Sequence, residues 1–333
     1  MPSSNPLNRR HFLGSSAAAL AAGAAIGAAE QPAPPTAAHT PAPPHQVDPQ
    51  TGMPYGMLGK AKISRLMLGG NLVSGFMHCR DLKYVPQLFR AYCTEEKILE
   101  TFKICEENGI NTVFESGAAL IKRYNRQRGR HLQIIPHFVV ERDQDDGKLK
   151  DQIKEVVDIG VPAIYLWGVG ADALIQAGQI KTLAKGVEVA KKCGIPVGVG
   201  GHSLRVPMEC EKAQVPCDFY VKTLHLDNYP TATPKKLRKD FMWQGGDPNF
   251  FDNMWCINPE ETVAFMRRVR KPWIAFKVLA AGAILPRDGF AYAFRGGADF
   301  IAVGMFDFQV KEDSDLVKRM LKHLTGRKRP WCA

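Results

Sequence analysis

Asp218-Phe219-Tyr220-Val221-Lys222-Thr223-Leu224-His225-Leu226-Asp227-Asn228-Tyr229 is the stretch on which the reading of this chain turns. Its first half, rich in aromatic and β-branched residues, has the composition of a buried strand and runs straight into a polar cluster of His225, Asp227 and Asn228. Polar groups just past the carboxyl end of a core strand mark the face on which an eight-stranded α/β barrel builds its pocket, because the loops that follow the strands meet there.

Outward from this stretch, the same kind of strand recurs upstream at residues 196–202 (PVGVGGH), 162–168 (PAIYLWG), 132–140 (LQIIPHFVV), 111–115 (NTVFE) and 64–70 (SRLMLGG). Downstream it recurs at 272–279 (PWIAFKVL) and 299–305 (DFIAVGM). Helical patterns alternate with these strands. The clearest has Thr94 as cap, Glu95, Glu96 and Lys97 in the first turn, Ile98, Phe102 and Ile104 on one face, and a stop at Glu107-Asn108-Gly109. Others fall at 148–160, 180–194, 259–269 and 313–324. Eight short apolar strands alternating with helices predict parallel pairing through right-handed crossovers, and eight strands close into a single (β/α)8 barrel, here spanning residues 51–333.

One connection breaks the rhythm. About thirty residues rich in Asp, Asn, Gly, Pro and aromatics, Trp243, Phe250, Phe251 and Trp255 among them, lie between His225 and the helix that starts near Asn258. Loops of this length in compact domains are usually binding loops or lids. These aromatics either stack on a ligand such as a sugar ring or plug the top of the barrel as a satellite core.

The amino-terminal end reads as a targeting segment. Asn8-Arg9-Arg10-His11-Phe12-Leu13-Gly14 resembles a twin-arginine translocation motif, and the mildly hydrophobic run from Ala17 to Ala29 is too short to span a membrane as an anchor. Residues 1–29 are therefore expected to be a signal peptide read by the twin-arginine export machinery, the mature protein to be periplasmic or otherwise exported, and residues 30–50, rich in Pro and Ala, to be a linker. The net charge of +11 is densest at Lys318, Arg319, Lys322, Arg327, Lys328 and Arg329. No nucleic-acid-binding pattern accompanies it, so it is read as a solvated basic face. Eight cysteines without a CxxC pair read mostly as buried thiols, with Cys210–Cys217 and Cys79–Cys93 as weak disulfide candidates.

Polar residues at the predicted strand ends are Asn71, Glu115, His137, His202, His225, Asp227, Lys277 and Asp307. Imidazoles with a carboxylate are the ligand set of Zn, Mn, Fe or Co, so Glu115, His137, His202 and His225 are candidate ligands of a divalent metal. Asp227 and Lys277 are then the candidate acid and base. Alternation sets Ala275 and Lys277 opposite Phe276 and Val278, and the small neighbour is consistent with an inward, crowded Lys277. Such a lysine is alternatively a Schiff-base nucleophile. Asn71, Trp167, Trp243 and Trp255 are placed to hold a cofactor or ligand.

Three segments resemble the aldo-keto reductases: residues 55–71 (YGMLGKAKISRLMLGGN), 109–115 (GINTVFE) and 297–305 (GADFIAVGM). The resemblance implies the same barrel fold and an NAD(P)-dependent oxidoreductase. That family's catalytic set does not carry over, because the matching positions hold Glu115, Leu120, His137 and Trp167. The segments Lys222-Thr223-Leu224-His225, Asp252-Asn253-Met254-Trp255-Cys256 and Lys277-Val278-Leu279-Ala280-Ala281-Gly282 also resemble a group of exported bacterial barrels, which implies carbohydrate catabolism. The leading expectation is an exported metal-dependent enzyme that isomerises, eliminates from or hydrolyses a sugar or oxidised sugar. The alternatives are a reductase with a bound nicotinamide and a barrel that binds glycans without catalysis.

Overall fold

The computed structural model describes residues 46–333 apart from 80, 81, 83, 130, 131, 144 and 240–253. Residues 1–29 and Trp243 therefore lie outside the described residues, and the stretch read as linker is described only from Gln46. There it already belongs to the domain. Strand β1 (Gln46–Val47) pairs antiparallel with β2 (Pro54–Leu58), which turns at Gly59 into β3 (Ala61–Ser64). Leu58 and Ile63 of this hairpin pack with Met67, Phe219 and Phe300 and close the amino-terminal end of the barrel.

The barrel is built from β4 (Leu66–Gly69), β5 (Thr112–Glu115), β6 (Gln133–Phe138), β7 (Ile164–Leu166), β8 (Val197–Gly201), β9 (Phe219–Thr223), β10 (Trp273–Phe276) and β11 (Phe300–Val303). All neighbours are parallel and the sheet closes between β11 and β4, so the (β/α)8 barrel is the fold. One face of each strand fills the interior and the other packs on the helices. Met67, Phe114, Ile135, Tyr165, Phe219, Val221, Ile274 and Phe300 form the inner cluster, whereas Leu66, Val113, Ile134, Tyr220 and Ala275 join the outer core. Gly198, on the inner face of β8, leaves the space that the Phe219 ring occupies.

The helix expected after Thr94 is Glu95–Glu107, with the Thr94 hydroxyl accepting from the Lys97 amide. A further helix, Gly168–Gln176, follows β7 directly and was not among the helical patterns read from the sequence. The first predicted strand, 64–70, is trimmed at its start: Ser64 ends the hairpin strand β3, and the barrel strand begins after Arg65. That arginine is buried, with Nη1 donating to the Asp299 carbonyl.

The basic run near the carboxyl terminus is not uniformly solvated. Arg329, buried, and Arg327, half-buried, close around the Asp299 carboxylate at 2.7 and 3.2 Å, and the Arg327 guanidinium stacks on Trp331. These cations cross-link the amino-terminal end of the barrel. All eight cysteines are free thiols, and neither candidate pair is bonded. Among the described residues no helix is long and apolar enough to cross a membrane.

Candidate functional site

The carboxyl end of β9 is a clamp. His225 is fully buried, its Nδ1–H donates to the Leu226 carbonyl at 2.7 Å, and its Nε2 accepts from the amides of Trp255 and Cys256 at 3.0 and 2.9 Å. Burial first, then the Lys222 charge, push its pKa down to about 4, so the ring is neutral and its lone pair is committed to the returning end of the long loop. Thr223 adds a hydrogen bond to the Trp255 carbonyl at 3.2 Å, and the ammonium of Lys222 lies behind the strand, 2.8 Å from Thr223 Oγ1 and 3.9 Å from Cys256 Sγ. His225 is thus a structural residue and not a metal ligand.

Asp227 is also taken by the loop. Its carboxylate pairs with Arg238 at 2.5 Å, and the same guanidinium donates to the carbonyls of Thr233 and Ile257, tying the loop's entry to its exit. The expected acid–base role for Asp227 gives way to this ion pair. The product of the clamp is Trp255, held buried at the mouth of the barrel, with its ring 4.6 Å from that of His78.

Lys277 reaches this ring by an unexpected route. Ile274 faces the barrel interior and Ala275 the outer core, so simple alternation would send Lys277 outward. Instead its φ is +57°, a left-handed conformation that swings the side chain back over the mouth. Nζ lies 2.7 Å from His78 Nε2 and 4.3 Å from the centre of the Trp255 ring. The alternation argument from the small neighbour was therefore wrong, although the residue does reach the mouth.

Glu115 repeats the device on β5. Phe114 points inward, yet Glu115, with φ +80°, is turned back so that its carboxylate lies near the buried Tyr165. His137, inward on β6, stacks on Trp167 at 5.6 Å and places Nδ1 3.6 Å from Glu115 Oε1. That spacing is too long for a hydrogen bond, and the buried Nδ1 makes none. Burial lowers the His137 pKa, partly offset by Glu115, and burial next to the same carboxylate raises that of Tyr165 well above its ordinary value. Non-glycine residues at positive φ are strained by about 1–3 kcal/mol and cluster at functional sites. Here two of them end strands at the same mouth.

The best-built group is one that the sequence only half revealed. His202 follows β8 with its ring packed 5.2 Å from that of Phe276, and its Nδ1 lies 2.8 Å from Asp172 Oδ2. Asp172, buried in the helix Gly168–Gln176, also accepts from the amides of His202 and Ser203 at 3.0 and 2.9 Å. Held by these two amides, the carboxylate accepts from Nδ1 and so keeps the ring proton there, which puts the imidazole lone pair on Nε2. Burial lowers the His202 pKa against the raising effect of Asp172, and the charges of Lys277 and Lys222 lower it further. The result is a neutral, oriented imidazole within electrostatic reach of the Lys277 amine.

The four residues expected to bind a metal are thus divided. Glu115 and His137 are neighbours, His202 belongs to Asp172 and His225 to the loop backbone. Among the described residues no three His, Cys, Asp or Glu side chains come together as a metal centre requires. Asn71 begins the short helix Asn71–Ser74 after β4, Trp167 backs His137, and Trp255 backs Lys277. Asp307 begins the last helix, Asp307–Lys322, and is engaged by Tyr92 and Lys97 at 2.7 and 3.2 Å. Leu120, the counterpart of the reductases' tyrosine, lies in the helix Ala118–Arg128 against the outer core.

No family model and no curated protein matches the sequence. Among solved structures, a truncated 3-deoxy-D-arabino-heptulosonate 7-phosphate synthase from Thermotoga maritima is 12% identical, with a TM-score of 0.41 over 80% of this chain and 89% of that one. A mandelate oxidase point mutant with an FMN adduct is 13% identical, at a TM-score of 0.46 over 87% and 84% of the two chains. A putative lactate oxidase from Pediococcus acidilactici is 12% identical, at 0.42 over 84% and 76%. Likenesses this distant carry no argument about chemistry, which has to come from the side chains themselves.

Proposed function

We propose that the barrel is an enzyme that moves a proton on a sugar or oxidised sugar, by isomerisation or elimination next to a carbonyl group. The observation that carries this reading is the Asp172–His202 pair, a neutral imidazole locked in one tautomer by a buried carboxylate, at the same strand ends as Lys277. His202 Nε2 is the base. Asp172 holds the ring and stabilises the imidazolium that forms when the proton arrives. Glu115 and His137 supply a second carboxylate–imidazole pair, suited to returning or delivering a proton elsewhere on the substrate.

The half-buried rings of Trp167 and Phe276 give the mouth aromatic walls that suit the apolar faces of a sugar. Export along the twin-arginine route, supported by Asn8 to Gly14, belongs to the same proposal.

The test is exchange of carbon-bound hydrogen. The full-length protein is incubated in D2O with a panel of aldoses, ketoses, uronic acids and 2-keto sugar acids, and the spectra are followed by proton NMR. At least one member should exchange the hydrogen beside its carbonyl, and His202→Asn should slow that exchange by about 100- to 10,000-fold. An unchanged rate in a folded His202→Asn protein, or no exchange of any member by the wild type, refutes the reading.

A further inference from the structure

The base alone leaves the carbonyl unactivated, because a hydrogen beside a neutral carbonyl is too weakly acidic for an imidazole to remove quickly. We propose that Lys277 activates the substrate by condensing with its carbonyl carbon, so that the enzyme acts on aldehyde or ketone sugars through an iminium ion at Nζ. The inference rests on the proton-transfer reading and names the electrophile that it lacks.

Three features of the mouth favour this. The left-handed turn at Lys277 delivers an amine from a strand end that would otherwise point it outward, and such strain persists only where the surroundings hold it. His78 Nε2, 2.7 Å from Nζ, stands where it takes a proton from the ammonium and returns it. The Trp255 face, 4.3 Å away, stabilises positive charge at that nitrogen, and an iminium keeps the charge there. The strongest competitor, Lys222, is 1% exposed and lies behind β9 against Thr223 and Cys256, where no sugar carbonyl reaches it.

The steps balance without an oxidant or reductant. The ammonium gives one proton to His78. The neutral amine attacks the carbonyl carbon, and both of its hydrogens leave with the carbonyl oxygen as water. The imidazolium of His78 then protonates the imine nitrogen. The hydrogen on the adjacent carbon passes to His202 Nε2 and leaves an enamine, which is reprotonated on carbon or expels a hydroxyl group one carbon further on as water. Hydrolysis by one water molecule restores the amine and releases the product carbonyl.

The full-length protein is treated with dihydroxyacetone, glyceraldehyde or pyruvate in the presence of cyanoborohydride and mapped by peptide mass spectrometry. Lys277 should carry a reduced adduct with at least one probe, at an occupancy at least about tenfold above any surface lysine, and Lys277→Arg should abolish it while its circular dichroism matches that of the wild type. Lys277→Met serves if the arginine does not fold. Adducts spread evenly over surface lysines, or absent from Lys277 with every probe, overturn the imine. The deuterium experiment separates the two ideas: exchange that survives in Lys277→Arg but is lost in His202→Asn refutes the imine and keeps the base, whereas exchange unaffected by His202→Asn refutes the base itself.

Discussion

Replacing His225 with glutamine tests whether the end of β9 is a clamp. In the folded protein the imidazole is buried and neutral, with two backbone amides donating to one ring nitrogen and one carbonyl accepting from the other. Glutamine cannot satisfy all three groups from one position. Leaving one or two unpaired costs about 1–3 kcal/mol each, so a loss of about 2–4 kcal/mol is expected at pH 7.5. The histidine also carries a pH signature that glutamine lacks. Its folded pKa of about 4 lies below the unfolded value of 6.5, so the unfolded chain takes up the proton first as the pH falls. The contribution is therefore complete above pH 6.5 and fades towards pH 4. Linkage between those two values makes the fading about 2 kcal/mol by pH 5. Urea unfolding followed by tryptophan fluorescence at pH 7.5 and 5.0 measures it, with the other histidines common to both proteins. The stability gap between wild type and His225→Gln should narrow by about 2 kcal/mol at the lower pH. Parallel loss in both proteins would show that His225 is not held neutral, and the clamp would fall with it.

Other substitutions probe other parts of the barrel. Asp313 is buried in the last helix with its pKa pushed up to about 6 by burial, above the unfolded value, so it destabilises the fold increasingly as the pH rises from 3.8 to 6. Asp313→Asn should then raise the unfolding free energy by about 2–3 kcal/mol at pH 8 and by almost nothing at pH 3.5, as read by urea titration. At the left-handed Lys277, glycine should be more stable than alanine by about 1 kcal/mol, since both remove the side chain and only alanine keeps the strain. Equal melting curves would deny the strain. Arg329→Met leaves the Asp299 carboxylate short of a buried partner and should cost about 3–5 kcal/mol by denaturant unfolding, against less than about 1 kcal/mol for the exposed Lys311→Met.

The barrel was legible because its strands are short apolar runs between helical periods, and periodicity survives without knowledge of neighbours. The Thr94 cap and the stop at Asn108-Gly109 were legible for the same local reason. The hairpin was legible only through the resemblance of residues 55–71 to the reductases, whose first strand follows a short hairpin, because polar Lys62, Ser64 and Arg65 interrupt any apolar period there. The helix Gly168–Gln176 was hidden by the glycines that open it, and with it went Asp172. A lone aspartate in the apolar stretch Val169 to Ile175 was the available signal, since a charge in such a stretch usually has a partner. The basic carboxyl-terminal run misled because Arg327 and Arg329 find Asp299 only in three dimensions.

The site was misread for a more instructive reason. Counting polar residues past strand ends treats every such residue as facing the pocket, but a barrel also needs polar groups there to anchor its own loops. His225 and Asp227 sit beside the longest loop and are consumed by it, each hydrogen-bonded to groups that the returning chain brings. Lys277 and Glu115 sit where alternation points outward and reach the mouth only because the backbone is left-handed at each. Anchoring and chemistry thus draw on the same residue types at the same end of the barrel. What marks His225 and Asp227 as anchors is the identity of their partners, backbone amides and a guanidinium of the loop itself, whereas Glu115 and Lys277 are turned against their local preference towards the common mouth. On the proposed reading the acid–base groups lie on the second, third, fifth and seventh strands, and the sixth holds the roof.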